Sequence, residues 1–305
     1  MKRIILSLFL CTALIVPGLS QTLNVASYNI RYENKGDTEQ GNGWEQRCPV
    51  ICQLITYNDF DIWGGQEVLN HQLNDLLENL NQYGYVGVGR DDGITKGEYA
   101  PIFYKKDKFS IIESGHFWLS EETTYPNKGW DAALPRICTW GHFKEISSGR
   151  AFWFFNLHMD HVGIVARRES AKLVLQRVKE ICGDEPVILT GDFNVDQTNE
   201  IYEILAHSGT LADSYEKASI RYALNGTFNA FDTNLKTESR IDHIFVSPSF
   251  LVEKYGVLTD TYRSPKKNAN TIVSSNFPKE VSLTEYIART PSDHFPVRVE
   301  LSFFK

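Results

Sequence analysis

Near residue 190 the chain reads Val187-Ile188-Leu189-Thr190-Gly191-Asp192-Phe193-Asn194. Four apolar or β-branched residues make a buried strand that stops at a glycine. Side chains on extended backbone alternate with period two, so Asp192 and Asn194 leave the strand end on the same side. Gly191 lets a neighbour approach the backbone closely. A fold built on this strand must bury it and still open its end, which makes that end a place for chemistry.

Strand-like and helical runs alternate around it. Residues 23–30, 61–63, 83–89, 100–104, 109–118, 137–143 and 152–157 read as strands, several separated by glycine or charged turns. Helical patterns cover 44–56, 70–80, 165–181 and 199–206; in the third, Ala166, Ser170, Leu173, Val174, Val178 and Ile181 share a face. The stretch up to residue 238 reads as loop, and strands return at 241–246, 250–257 and 297–303. Strands without intervening helices imply antiparallel pairing, and helices that follow strands imply layers outside a sheet. With 305 residues, 42% of them hydrophobic, the chain can bury a large core. The expected architecture is one α/β domain over 21–305, two packed sheets flanked by helices, with no linker and no internal repeat. Two loops stand out: 120–135, which carries Trp130 and Asp131, and 260–291, which shows little periodicity and contains Arg263-Ser264-Pro265-Lys266-Lys267. Loops this long in a compact domain are usually functional or mobile.

Residues 1–20 stand apart. Lys2 and Arg3 precede an apolar run from Ile4 to Val16, followed by Pro17-Gly18-Leu19-Ser20. A basic start, a short apolar core and small residues near the end make a secretory leader cut near Ser20, and the run is too short to span a bilayer. Export to the periplasm or the medium is the expectation, with no transmembrane segment. Without Lys2 and Arg3 the 31 basic residues become 29 against 38 acidic ones, a net charge of −9. Proteins that hold nucleic acid by phosphate neutralisation are normally basic, so no stable nucleic-acid complex is expected, and a monomer is. Cys48 and Cys52 lie four apart on a predicted helix, a geometry that suits a disulfide poorly. Buried free thiols are expected there and at Cys138 and Cys182, and no Cys-x-x-Cys or Cys/His metal spacing exists.

Polar residues of catalytic type close several strand-like runs. Asn29 follows Val25-Ala26-Ser27-Tyr28, Gln66-Glu67 follows Ile62-Trp63-Gly64-Gly65, and His158 follows Phe154-Phe155-Asn156-Leu157. Asp242 begins an apolar strand after Arg240-Ile241, and Asp293-His294 precedes Phe295-Pro296-Val297. Any one of these is ordinary turn or cap chemistry. Six in one chain, Asp192-x-Asn194 included, are hard to explain that way.

On these residues the chain resembles the endonuclease/exonuclease/phosphatase superfamily, whose fold is the DNase I-like four-layer α-β-β-α sandwich. The matching stretches are Ser27-Tyr28-Asn29-Ile30, Gln66-Glu67-Val68, Asn156-Leu157-His158, Gly191-Asp192-Phe193-Asn194, Arg240-Ile241-Asp242-His243-Ile244-Phe245 and Ser292-Asp293-His294-Phe295-Pro296, in family order over residues 23–302. Residues 130–136 and 156–161 look most like exported bacterial members near the deadenylase-like branch. The resemblance implies a phosphoesterase that uses Mg²⁺, with Mn²⁺ as substitute. Mg²⁺ takes hard oxygen ligands and keeps several waters, so one or two carboxylates suffice. By the match Glu67 is the principal ligand, with Asn29 and Asp293 near the metal. Asp192, assisted by Asn194, orients or deprotonates the attacking water. His294, held by Asp293 or Asp242, contacts the phosphate or shares the proton work, and His158 stabilises charge on the transferring phosphoryl group. Arg31 and Arg136 are candidates for phosphate contacts. Arg31 also departs from the DNA-repair members, which carry an acid there.

Other readings fit less well. His158-x-Asp160-His161 lacks the further histidine of a zinc hydrolase, since position 156 is asparagine, and no Gly-x-Ser-x-Gly elbow exists for a serine hydrolase. A non-catalytic binding module on the same scaffold is expected to have lost Glu67, Asp192 or His294. Among phosphate esters, nucleotides or short nucleic acid are the favoured substrate, with Trp130 and Phe231 as aromatic platforms. The alternatives are a sugar or inositol phosphomonoester, held by Arg31, Arg136, Arg263 or Lys266, and a sphingomyelinase-type phospholipid, which requires an exposed apolar hairpin that the sequence does not clearly show.

Overall fold

The computed structural model describes residues 22–272 and 276–304, so the leader and its cleavage point lie outside the described residues. The elements in order are β1 (Leu23–Asn29), α1 (Lys35–Glu39), α2 (Trp44–Tyr57), β2 (Ile62–Gln66), α3 (Asn70–Asn79), β3 (Tyr83–Val86), β4 (Ile102–Lys105), β5 (Phe109–Trp118), β6 (Ile137–Glu145), β7 (Ala151–His158), α4 (Ile164–Cys182), β8 (Val187–Asp192), α5 (Glu200–Ala206), β9 (Ala212–Asp213), α6 (Ser214–Lys217), β10 (Ile220–Tyr222), β11 (Asp242–Val246), β12 (Phe250–Val257), β13 (Tyr262–Pro265), β14 (Thr271–Ile272), β15 (Leu283–Thr284), β16 (Tyr286–Arg289) and β17 (Val297–Phe303).

Two large mixed sheets carry the fold, in the orders β10-β12-β17-β1-β2-β4-β3 and β5-β6-β7-β8-β11-β9. Their facing sides make one core, in which Val25, Ile62 and Val299 meet Phe152, Phe154, Ile188 and Ile244. The outer face of the first sheet, with Tyr28, Trp63 and Phe103, packs under Ile51 and Ile55 of α2 and Leu73 and Leu76 of α3. The outer face of the second, with Phe155, Leu189 and Phe245, packs under Val174 and Val178 of α4 and Leu205 of α5. Neighbours such as Phe154 and Phe155 point to opposite sides, and both sides are covered, which is why these strands read as unbroken apolar runs. The result is the four-layer α-β-β-α sandwich of the DNase I-like fold.

The registers explain where the polar strand ends go. β1 and β2 run parallel, with Asn29 beside Gln66. β7 and β8 run parallel, with His158 beside Asp192. β11 runs antiparallel to β8 and starts at Asp242, opposite Asp192. Parallel strands deliver their C-terminal ends to one edge, and an antiparallel neighbour delivers its beginning there. Gly191 has a packing role rather than a substrate-facing one: a Cβ on it would stand 2.6 Å from Leu157 O on β7.

Three expectations change. Residues 260–291 are not an aperiodic loop: β13 pairs with β16 and β14 with β15 in a projecting antiparallel ribbon. Most of its side chains are exposed, so burial imposed no alternation for the sequence to display. Ile272 sits opposite Leu283, both about half exposed, so the ribbon carries one exposed apolar pair that the sequence reading did not single out. The loop read before residue 238 holds the short β9, α6 and β10. The described cysteines Cys48, Cys52, Cys138 and Cys182 are free and buried, as expected.

Candidate active site

The polar strand ends meet in a cleft of about 500 Å³. Three of the residues there, Arg31, Glu67 and Asn194, hold left-handed backbone with φ of 59°, 60° and 52°. Non-glycine residues reach that region only when their surroundings enforce it, and such positions cluster at functional sites.

Asn29 joins the two sheets. Its Nδ2 donates to Glu67 Oε1 at 3.1 Å and to Asp192 Oδ2 at 3.0 Å, while its Oδ1 accepts from the Arg31 N–H at 3.0 Å. The backbone donor fixes the amide's orientation, so Asn29 presents N–H groups to the carboxylates. It therefore orients them, a place beside the carboxylates that agrees with its expected position near the metal.

Glu67 also accepts from the Tyr32 N–H at 3.1 Å. Each of its oxygens thus keeps a lone pair. The Arg31 guanidinium is anchored by Nε on Asp37 Oδ2 at 2.8 Å, and its Nη1 stands 3.5 Å from Asp293 and 4.0 Å from Glu67. Burial pushes the Asp293 carboxyl above its ordinary range, and the charge of Glu67 adds to this, against the pull of His294, Arg31 and Arg47. Two crowded carboxylates with free lone pairs suit a small hard cation, so this donor set fits Mg²⁺.

His294 lies between two acids. Asp242, not Asp293, holds it: Nδ1 meets Asp242 Oδ2 at 2.8 Å, and Nε2 stands 3.8 Å from Asp192 Oδ2. Burial alone would lower the imidazole's pKa, but the charge and hydrogen bond of Asp242, with the charge of Asp192, raise it well above the usual value. The ring is an imidazolium at neutral pH. Asp192 is itself pushed up to about 7, first by burial and then by Asp242, while His294 and the donors Asn194 N and Asn29 pull the other way. Donor atoms of Asp192, Asp242 and His294 lie within 4.8 Å of one another, a spacing that could hold a metal. The hydrogen bond between His294 and Asp242 makes a proton relay the better description of this trio.

His158 has the opposite character. Asn194 Nδ2 donates to Met159 O at 3.0 Å and approaches His158 Nε2 at 3.2 Å, a nitrogen that also stands 3.5 Å from Asp192 Oδ2. Nδ1 faces Glu98 Oε2 at 3.8 Å. Burial, with the charges of Arg136 and Arg90, holds the imidazole pKa well below its usual value, so the ring is neutral. His158 can stabilise a phosphoryl group as a hydrogen-bond donor but not as a cation.

Arg136 is buried in the cleft wall. Its Nε lies 3.3 Å from Asp160, its Nη2 lies 3.0 Å from His161 Nδ1, and its Nη1 has no partner among the described residues. Trp130 does not line the cleft, and its main-chain N–H donates to the Glu121 carboxylate at 3.0 Å. Its neighbour Asp131 accepts from the N–H groups of Val165 and Ala166, capping α4. Phe231 lies over the Arg47 guanidinium, centroid 5.5 Å away, and is not a cleft platform. The aromatic and polar wall is made by Tyr32, Glu98 and Phe228, which sequence reading missed, and by His161, which it weighed only as a zinc ligand. Tyr32 sits two residues beyond the Ser27–Ile30 motif. Glu98 lies in a Gly- and Asp-rich stretch that looks like an ordinary turn, where two hydrogen bonds from Arg90, 2.6 and 2.9 Å, hold it.

Carboxylates, two histidines and arginines at the joint edge of two sheets define a phosphoesterase of the nuclease and phosphatase type. The chain belongs to the Endonuclease/Exonuclease/phosphatase family, whose profile matches residues 26–294. It is 58% identical to a solved family protein from Bacteroides thetaiotaomicron, over 93% of this chain and 99% of that one, with a TM-score of 0.87. It is 59% identical to a mannosyl-6-phosphatase from Bacteroides thetaiotaomicron VPI-5482, over 92% and 100% of the two chains, with a TM-score of 0.85. Human deoxyribonuclease-1 is 26% identical over 316 residues, 97% of this chain and 98% of that protein.

Proposed function

We propose that this protein is an exported, Mg²⁺-dependent phosphomonoesterase that acts on a sugar phosphate. The observation that carries this reading is the 59% identity to a mannosyl-6-phosphatase over 92% of the chain. The cleft supports it. Arg31 and the His294 imidazolium offer cations suited to a terminal phosphate, which carries more charge than a diester, and Arg136 lines the same cleft. Trp130 and Phe231, which a nucleobase reading needs as platforms, do not line the cleft. The sugar-phosphate alternative therefore stands ahead of the nuclease reading. Export rests on the leader pattern of residues 1–20, whose removal leaves 21–305 as one catalytic domain.

Glu67 and Asp293 are the residues that would hold Mg²⁺, whose chemistry there is to polarise the phosphoryl oxygens and offset their charge. The protein's own groups do the rest. Asn29 keeps Glu67 and Asp192 aligned across the sheets. Asp192, steadied by the Asn194 N–H at 2.9 Å, accepts the proton of the attacking water as its oxygen bonds to phosphorus. His294 donates a charged hydrogen bond to the phosphoryl oxygens, and His158 a neutral one. The phosphorus–oxygen bond to the sugar breaks, the departing alkoxide takes a proton from solvent to leave as the alcohol, and Asp192 returns the proton it accepted to solvent. Positioning and electrostatics supply most of the rate in such reactions.

A second reading has one observation in its favour. The exposed ribbon with Ile272 and Leu283 suits a phosphate ester presented at a lipid surface. One panel separates these readings: mannose 6-phosphate, a mononucleotide, short DNA and RNA, and sphingomyelin vesicles, each with Mg²⁺ and with EDTA. Release of phosphate from the sugar ester with Mg²⁺ alone is the expected result. Activity confined to diesters, or activity that survives EDTA, overturns the proposal.

A further inference from the structure

Arg47 is fully buried, on the first turn of α2, and outside every motif that points to the site. A cation there sits at the unfavourable end of the helix dipole, so something else holds it in place. Among the described residues no carboxylate pairs with it. All its hydrogen bonds go to main-chain carbonyls: Nη1 to Ile30 O at 2.6 Å and Pro291 O at 3.1 Å, Nη2 to Arg31 O at 3.1 Å, and Nε to Asn42 O at 2.8 Å. The Trp44 and Phe231 rings lie 5.4 and 5.5 Å from its central carbon.

Those acceptors lie where the sheet stops. The ladder between β1 and β17 ends at Ser27 opposite Val297. Beyond it the two segments diverge, and these are the segments that carry Asn29, Arg31, Asp293 and His294. Ser292 Oγ ties them once, on Asn29 O at 2.7 Å. Arg47 makes the second tie through a single nitrogen shared by Ile30 O and Pro291 O. A guanidinium suits this task, since its planar fork reaches several acceptors at once and cannot lose its proton.

We infer that Arg47 is a positioning residue, a buried guanidinium that bridges the carbonyls of Ile30, Arg31 and Pro291 and thereby sets the spacing of the Glu67 and Asp293 carboxylates from Asn29. Its fixed charge also faces the acidic side of the cleft from behind. The inference rests on the proposed phosphatase reading only for its kinetic consequence.

Arg47→Lys keeps the charge and loses the fork. Hydrogen exchange at the amides of 30–32, 290 and 292–294 should quicken about ten-fold, the scale of one lost hydrogen bond, with exchange across β7 and β8 unchanged. Mn²⁺ alone, titrated by calorimetry, should bind more weakly. On mannose 6-phosphate kcat should fall about 100-fold with KM changed much less, the mark of misplacement rather than lost affinity. If Arg47→Lys does not fold, Phe231→Leu loosens the same guanidinium and should move exchange and Mn²⁺ affinity in the same directions by less. A folded Arg47→Lys, or failing that Phe231→Leu, with wild-type exchange at both segments and wild-type Mn²⁺ affinity overturns the inference. Wild-type protein inactive on every phosphate ester overturns the phosphatase reading and leaves the exchange and Mn²⁺ results to decide this one.

Discussion

Asn29 donates its side-chain amide across the gap between the two sheets to Asp192, Nδ2 to Oδ2 at 3.0 Å. The same nitrogen reaches Glu67. One neutral donor therefore aligns the residue that readies the water and the carboxylate that faces the cation. Asn29→Ala removes both bonds and leaves two buried acids closer to repulsion. We expect kcat to fall about 100-fold or more while the thermal midpoint stays near wild type, checked by initial rates and calorimetry on one preparation.

His294 owes its charge to Asp242. Asp242→Asn keeps the volume and removes the charge that opposes desolvation of the ring. The imidazole then loses its proton at a lower pH. The variant's rate should decline on the alkaline side well before the wild type's does, with a loss of about 100-fold or more at neutral pH. An unchanged profile would show that Asp242 is not the group that holds His294 charged.

Asp192 titrates high because it is buried beside Asp242. In metal-free protein its carboxyl carbon should show an NMR midpoint at about 7, and Mg²⁺ should move that midpoint down. The folded pKa is raised above the ordinary 3.8, so the stability this group contributes is complete below about pH 4 and is lost as pH rises through about 7. Asp192→Asn, which cannot ionise, should therefore raise the thermal midpoint of the metal-free protein more at pH 8 than at pH 5. It should also abolish turnover.

What the sequence made legible follows from where burial acts. Strands covered on both faces announced themselves as apolar runs, and their ends exposed Asn29, Glu67, His158, Asp192, Asp242 and His294. The structure gathers all six. The ribbon from β13 to β16 stayed hidden because most of its side chains are exposed and follow no alternation. Glu98 stayed hidden because its role depends on a hydrogen bond from Arg90 within a turn, and turn composition says nothing about which way a carboxylate points. Trp130 failed for the converse reason. An aromatic residue in a polar loop looked like a platform, whereas its loop serves to place Asp131 on the N-terminus of α4.

Phe228 and Trp130 test the cleft wall against the sequence expectation. Phe228 lines the cleft and sets its ring edge-on to His294, centroids 5.1 Å apart at 72°. Truncation to alanine removes an apolar surface on which a sugar ring can lie and loosens the packing of the imidazolium. Phe228→Ala should raise KM several-fold and lower kcat modestly, because aromatic contacts of this kind contribute about 0.5–1.5 kcal/mol beyond their buried area. Trp130→Ala should leave both constants unchanged, since its N–H bond to Glu121 is made by the main chain and survives the substitution. Saturation kinetics on the two variants decide the matter: a Trp130→Ala defect larger than that of Phe228→Ala would return the tryptophan to the substrate path.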